Sequence, residues 1–74
     1  MSNIVVLGAG MVGSAMAKDL SENHNVLLTD LDLSVLKKVK KSFSSIDILQ
    51  LDVTNDDELS KVLNDKDLVL SAVP

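Results

Sequence analysis

The stretch VVLGAGMVGSAMA, Val5 to Ala17, joins a β-branched apolar run to a segment of helical period through a glycine-rich turn. Asn3 to Leu7, NIVVL, suits a strand buried on both faces. From Met11 to about Glu22 the period changes to that of a helix, with Val12, Met16 and Leu20 on one row and the small residues Ala9, Gly13 and Ala17 on another. The small row lets this helix lie close to a sheet. Gly8, Gly10 and Gly13 therefore form G-x-G-x-x-G between strand and helix, the context in which that spacing has a ligand reason. Gly8 permits the tight turn, Gly10 leaves room for a pyrophosphate against the backbone, and Gly13 allows helix and sheet to approach. The free amides around Met11 and Val12 face the same phosphates.

The rest of the chain repeats the alternation. Val26 to Thr29 is read as a second strand ending at Asp30, and Leu33 to Ser42 as a helix capped by Asp32. Ile46 to Leu51 is read as a third strand. A helix then starts from Thr54, with Asp57 as the second half of a capping box, and ends near Leu63. Asp67 to Ala72 forms a fourth strand. The order βαβαβαβ with short connections implies a parallel, doubly wound α/β sheet of the Rossmann type, with strand order 3-2-1-4. Residues 1–74 make up the N-terminal portion of such a dinucleotide-binding domain, an incomplete fold whose substrate-binding and catalytic part lies outside this chain. Pro74, directly after a strand, agrees with a segment of a longer polypeptide, or with an excised half-fold whose open edge drives self-association.

Asp30 completes the fingerprint. It ends the second strand about 20 residues after the glycines, where a carboxylate accepts hydrogen bonds from an adenosine ribose and repels a 2'-phosphate, so NAD is expected over NADP. Lys37, Lys38, Lys40 and Lys41 lie too far down the second helix to reverse that preference and read as a solvated face. Asp52, with Val53, is placed to meet the adenine edge, although helix capping accounts for it equally well. His24, the single histidine, sits in a polar turn away from the carboxyl ends of the strands. The Asp56–Asp57 pair suits a helix start and not a metal site. No G-K-[ST] follows the glycines, which excludes a P-loop, and no catalytic residue is assigned.

Composition sets the remaining bounds. The chain has 74 residues with 46% hydrophobic and 24% charged content, one Phe and no Trp, Tyr or Cys, so the core is aliphatic and the chain globular. A net charge of −4 argues against nucleic acid as a partner. The longest apolar run falls far short of the roughly 20 residues of a membrane span. Without cysteine, the expected location is cytoplasmic.

The segments IVVLGAGMVGSAMAKDL, LLTDLDLSVLKKV, LQLDVTNDDELSKVL and KDLVLSAVP resemble the N-terminal nucleotide-binding half of the saccharopine dehydrogenase family, which includes lysine 6-dehydrogenase-like enzymes. The L-D-V-T segment and the A-V-P ending are its more particular features. The resemblance implies nucleotide contacts at Gly8, Ala9, Gly10, Met11, Val12, Asp30, Asp52, Val53, Ala72, Val73 and Pro74, with Val73 and Pro74 toward the nicotinamide. It also implies a parent oxidoreductase moving a hydride between the carbon of an amino-acid C–N bond and nicotinamide C4, with homodimerisation through a second domain. The alternative is a nucleotide-sensing module like the regulator of potassium conductance domains, which bind without chemistry. Those commonly carry Gly-Asp after the third strand, where this chain has Leu51-Asp52.

Overall fold

A computed structural model of the chain describes residues 2–72. Strands and helices alternate as β1 (Asn3–Leu7), α1 (Met11–Leu20), β2 (Asn25–Asp30), α2 (Leu33–Ser42), β3 (Asp47–Gln50), α3 (Asp56–Leu63) and β4 (Leu68–Ser71). The four strands form one parallel sheet in the order β3-β2-β1-β4, as the alternation of elements implies. Among the described residues, no helix is long and apolar enough to cross a membrane.

Strand period assigns the two faces. Ile4 and Val6 of β1 join Val26 and Leu28 of β2 in one cluster, closed by Ala17, Met16 and Leu20 of α1 and by Leu33, Leu36 and Val39 of α2. Val5 and Leu7 point the other way and pack with Leu51, Val53 and, from α3, Leu59, Val62 and Leu63. A strand covered on both faces has to be apolar at successive positions, which is what NIVVL encodes. The lone aromatic, Phe43, lies beneath the Lys18 ammonium at 4.9 Å from the ring centroid, tying α1 to the end of α2.

Element ends depart from the sequence reading by one or two residues. Ile46 and Leu51 are buried as expected, but they lie outside the β3 ladder. Ile46 donates its amide to Phe43 O and Leu51 donates to Asp30 O, so both continue the core beyond the paired strand. The first helix ends at Leu20, where the amides of Ser21 and His24 bond back to Ala17 O and Leu20 O. The cap of α3 is Asn55, whose side chain accepts from Glu58 N, and not Thr54. The hydroxyl of Thr54 instead donates to Asp52 Oδ1 at 2.6 Å.

Helix α1 meets the end of β1 glycine on glycine. A Cβ at Gly13 would collide with the Gly8 carbonyl oxygen and lie 2.9 Å from Gly8 C and 3.3 Å from Ala72 Cβ, whereas a Cβ at Gly10 would meet nothing within 4 Å. Because the atoms struck at Gly13 are backbone, Gly13→Ala is expected to cost at least about 3 kcal/mol, a large share of the ~4–11 kcal/mol typical of a domain this size. Gly10→Ala should stay within about 1 kcal/mol of wild type. Urea unfolding of both variants tests this; equal midpoints for the two would show that α1 can retreat from the sheet.

Candidate nucleotide-binding site

The chain runs outward from β1 to β2 to β3 and then returns through α3 to β4 on the other side of β1. A crevice therefore opens at the carboxyl ends of β1 and β4, the switch point where ligands of open α/β sheets bind. The ladder continues past the strand ends into that crevice, since Gly8 N donates to Thr29 O at 2.8 Å and Ala72 N donates to Leu7 O at 2.7 Å. Gly8 turns the chain at φ 103°, a conformation that favours glycine. Gly8 and Ala9 are buried, and Gly10, Met11 and Val12 then emerge into solvent. Met11 is 91% exposed, the most exposed of the large hydrophobic side chains among the described residues.

The three helices start differently. Asp32 caps α2 and Asn55 caps α3, but Gly10 provides no side-chain cap to α1 and its first turn holds no acid. The first-turn amides of a helix have no intrahelical partner. Those of α1 are thus left for an anion beside Gly10, whose φ of −67° any residue can adopt and whose missing Cβ faces open space. Gly10 thus leaves the start of α1 open on the side where a side chain would stand.

Asp30 ends β2 half-buried, and its carboxylate reaches back to the glycine turn. Oδ2 accepts from Ala9 N at 2.7 Å and Oδ1 from Asp32 N at 2.8 Å. The sequence reading offers this residue to the ribose, with a solvated or capping Asp as the alternative; the structure shows it as the latch that fixes the turn. Ser14 Oγ donates to Ala9 O at 2.7 Å, so both polar backbone groups of Ala9 are held. This second role for Asp30 had no signal in the sequence, because the latch exists only once Ala9 is folded over the strand end.

A cleft of about 290 Å³ lies beside the turn, lined by Gly8, Asp30, Leu31, Leu51, Asp52 and Val53 among others. Its walls are mainly apolar, with Leu31 65% exposed. It brings Asp30, Asp52 and Val53 to one place. Asp52 Oδ1 accepts from Thr54 N at 2.9 Å as well as from its hydroxyl, so helix approach is one of its roles. Ala72 stands at the far side of the crevice next to Gly13, and Val73 and Pro74 lie outside the described residues. A larger groove of about 490 Å³ runs along Ala15, Met16, Lys18, Asp19 and Glu22, away from the strand ends. His24 is remote from the crevice, accepting from Ser2 N at 3.0 Å through Nδ1.

Two carboxyls at the strand ends are held below their ordinary value of 3.8, Asp32 by the hydroxyl and then the amide of Ser34, and Asp52 likewise by those of Thr54. A group with a depressed folded-state pKa stabilises the fold above its unfolded value and loses that contribution as pH falls through the folded one. The urea midpoint should therefore fall as the pH drops below the ordinary carboxylate value, and fall less in the Asp32→Asn/Asp52→Asn double variant; parallel curves would place the acid sensitivity elsewhere. Asp30→Ala should unlatch the glycine turn, costing roughly 1–3 kcal/mol and speeding amide exchange at Ala9 at least tenfold. Unchanged protection at Ala9 would show that the turn holds itself.

Residues 4–74 match the family described as saccharopine dehydrogenase NADP binding domain. The chain is 35% identical, over an alignment of 74 positions that covers 97% of its length, to saccharopine dehydrogenase [NADP(+), L-glutamate-forming] of Saccharomyces cerevisiae, and it spans 16% of that protein. Apo saccharopine dehydrogenase (L-Glu forming) from the same yeast superposes over the whole chain with a TM-score of 0.88 at 33% identity, the match covering 17% of the yeast chain. A 3-hydroxyacyl-CoA dehydrogenase from Archaeoglobus fulgidus also covers the whole chain, with a TM-score of 0.77 at 26% identity and a quarter (25%) of its own length matched. These relatives are dehydrogenases and lend no support to the reading as a potassium-conductance regulator. The chain belongs to the saccharopine dehydrogenase family, an oxidoreductase family, and corresponds to its nucleotide-binding domain.

Proposed function

We propose that this chain holds the adenosine and pyrophosphate of a nicotinamide dinucleotide at the carboxyl ends of β1, β2 and β4, as the cofactor-orienting part of a dehydrogenase. The observation that carries the reading is Gly10, a glycine with an ordinary backbone and open space where its side chain would be, placed at the uncapped start of α1. The amides around Gly10, Met11 and Val12 would hold the pyrophosphate, with Gly13 keeping the helix close enough to present them. Asp30 would accept from the ribose through the lone pairs that Ala9 and Asp32 leave free, and Leu31, Asp52 and Val53 would bound the adenine. Ala72, followed by Val73 and Pro74, would lie toward the nicotinamide.

When bound, the cofactor supplies hydride transfer at nicotinamide C4. This chain contributes orientation only. For the parent polypeptide the family supports hydride transfer with the carbon of an amino-acid C–N bond. The family description and the yeast relative both carry NADP in their names, which leans toward NADP. The residues at the end of β2 and just after it, Asp30-Leu31-Asp32, lean toward NAD, because two carboxylates there oppose a 2'-phosphate.

Calorimetric titration of the folded chain with NADH, alongside Gly10→Val, tests the site. Wild type should bind, and Gly10→Val should bind at least about tenfold more weakly, about 1.4 kcal/mol, with an unfolding midpoint close to wild type because the added side chain enters open space. Equal affinity for both proteins would remove the phosphate position from this turn.

A further inference from the structure

We propose that Ser14 is a positioning residue for the pyrophosphate of the cofactor: without touching the ligand, it aims the backbone N–H groups of Gly10 and Met11 into the crevice. This role rests on the dinucleotide reading above and adds the side chain that orients the phosphate donors. Ser14 stands half-buried at the end of the first turn of α1. Its amide donates to Gly10 O at 2.9 Å and its hydroxyl to Ala9 O at 2.7 Å. No peptide bond among the described residues is cis, and across a planar trans peptide the carbonyl and the following N–H point in opposite directions. Holding Ala9 O on the Ser14 hydroxyl therefore turns Gly10 N–H away from α1, and holding Gly10 O turns Met11 N–H out of the helix start. Both belong to the donors that a helix start leaves without an intrahelical partner.

The hydroxyl does not make the bond a helical serine ordinarily makes. A serine inside a helix bonds back to a carbonyl three or four residues earlier, whereas this one passes over Gly10 to Ala9, five residues back and outside α1. The helix itself does not ask for serine, since alanine is the better helix former. The carbonyl it holds belongs to a buried residue whose N–H is already fixed by Asp30 Oδ2 at 2.7 Å. With that side fastened, the freedom left to the turn is rotation of the peptide between Ala9 and Gly10, where glycine has no side chain to resist it. The Ser14 hydroxyl blocks that rotation. Asp30 thus restrains the turn from the ribose side and Ser14 from the phosphate side.

Wild type, Ser14→Ala and Ser14→Thr, each checked by thermal unfolding, are titrated with NADH and NADPH by calorimetry, and with adenosine, which carries no phosphate, by NMR. Ser14→Ala should bind the dinucleotide that wild type prefers about tenfold more weakly, while its adenosine affinity moves less than about twofold. Ser14→Thr, which keeps the hydroxyl, should stay within about threefold of wild type for both ligands. In wild type itself, the Gly10 and Met11 amide resonances should move on adding the dinucleotide more than that of Ala9, which Asp30 already holds. Full dinucleotide affinity in a folded Ser14→Ala chain would leave Ser14 as a helix residue only, and the proposal fails while the dinucleotide reading stands. An equal loss of adenosine affinity, no recovery in Ser14→Thr, or an Ala9 shift as large as that of Gly10 would overturn it as well. If wild type binds neither NADH nor NADPH, the dinucleotide reading fails and the role of Ser14 fails with it.

Discussion

The contact of Gly13 with the Gly8 carbonyl sets the position of α1, and the geometry at the strand ends depends on it. Only a residue without a Cβ lets the helix come this near to the end of β1. The uncapped first turn of α1 is thereby carried over the crevice between β1 and β4 instead of standing off from the sheet. Three further restraints act on the same few residues: the positive φ of Gly8, the Asp30 carboxylate on Ala9 N and the Ser14 hydroxyl on Ala9 O. A turn restrained in this way is ordered before any ligand arrives, so less conformational freedom is lost on binding.

Topology was legible in the sequence because it follows from few rules. Four apolar runs separated by helical periods leave a parallel sheet as the economical arrangement, and right-handed crossovers then restrict the strand order. The element ends were less legible. Ile46 and Leu51 are more apolar and more deeply buried than the strand between them, DILQ, yet the ladder stops short of both. Hydrophobic pattern reports burial, whereas strand pairing also needs a partner with matching register. β3 has one such partner, β2, over four residues.

Side-chain to backbone contacts were the least legible part. Asp30, Asp32 and Asp52 all follow strands and look alike in sequence, but each engages a different donor set: Ala9 and Asp32 amides for the first, Ser34 for the second, Thr54 for the third. Thr54 and Asn55 compete for one cap, and Asp52 decides the outcome by taking the Thr54 hydroxyl, which leaves Asn55 to receive Glu58 N. Such choices depend on turn conformations that composition and periodicity do not encode.

The helix starts differ in a way that bears on the phosphate position proposed for a chain with a net charge of −4. Long-range attraction cannot supply it, so it has to be local. Every helix offers partial positive charge at its N-terminus, and whether an anion can use it depends on what the chain has already put there. At α2 and α3 the capping oxygens of Asp32 and Asn55 occupy first-turn amides. At α1 the cap position is a glycine and the first turn carries no acid, so the amides stay accessible. The glycine at position 10 thus has two effects that a capping side chain would abolish together: it leaves open space beside the turn, and it leaves the dipole of α1 uncompensated.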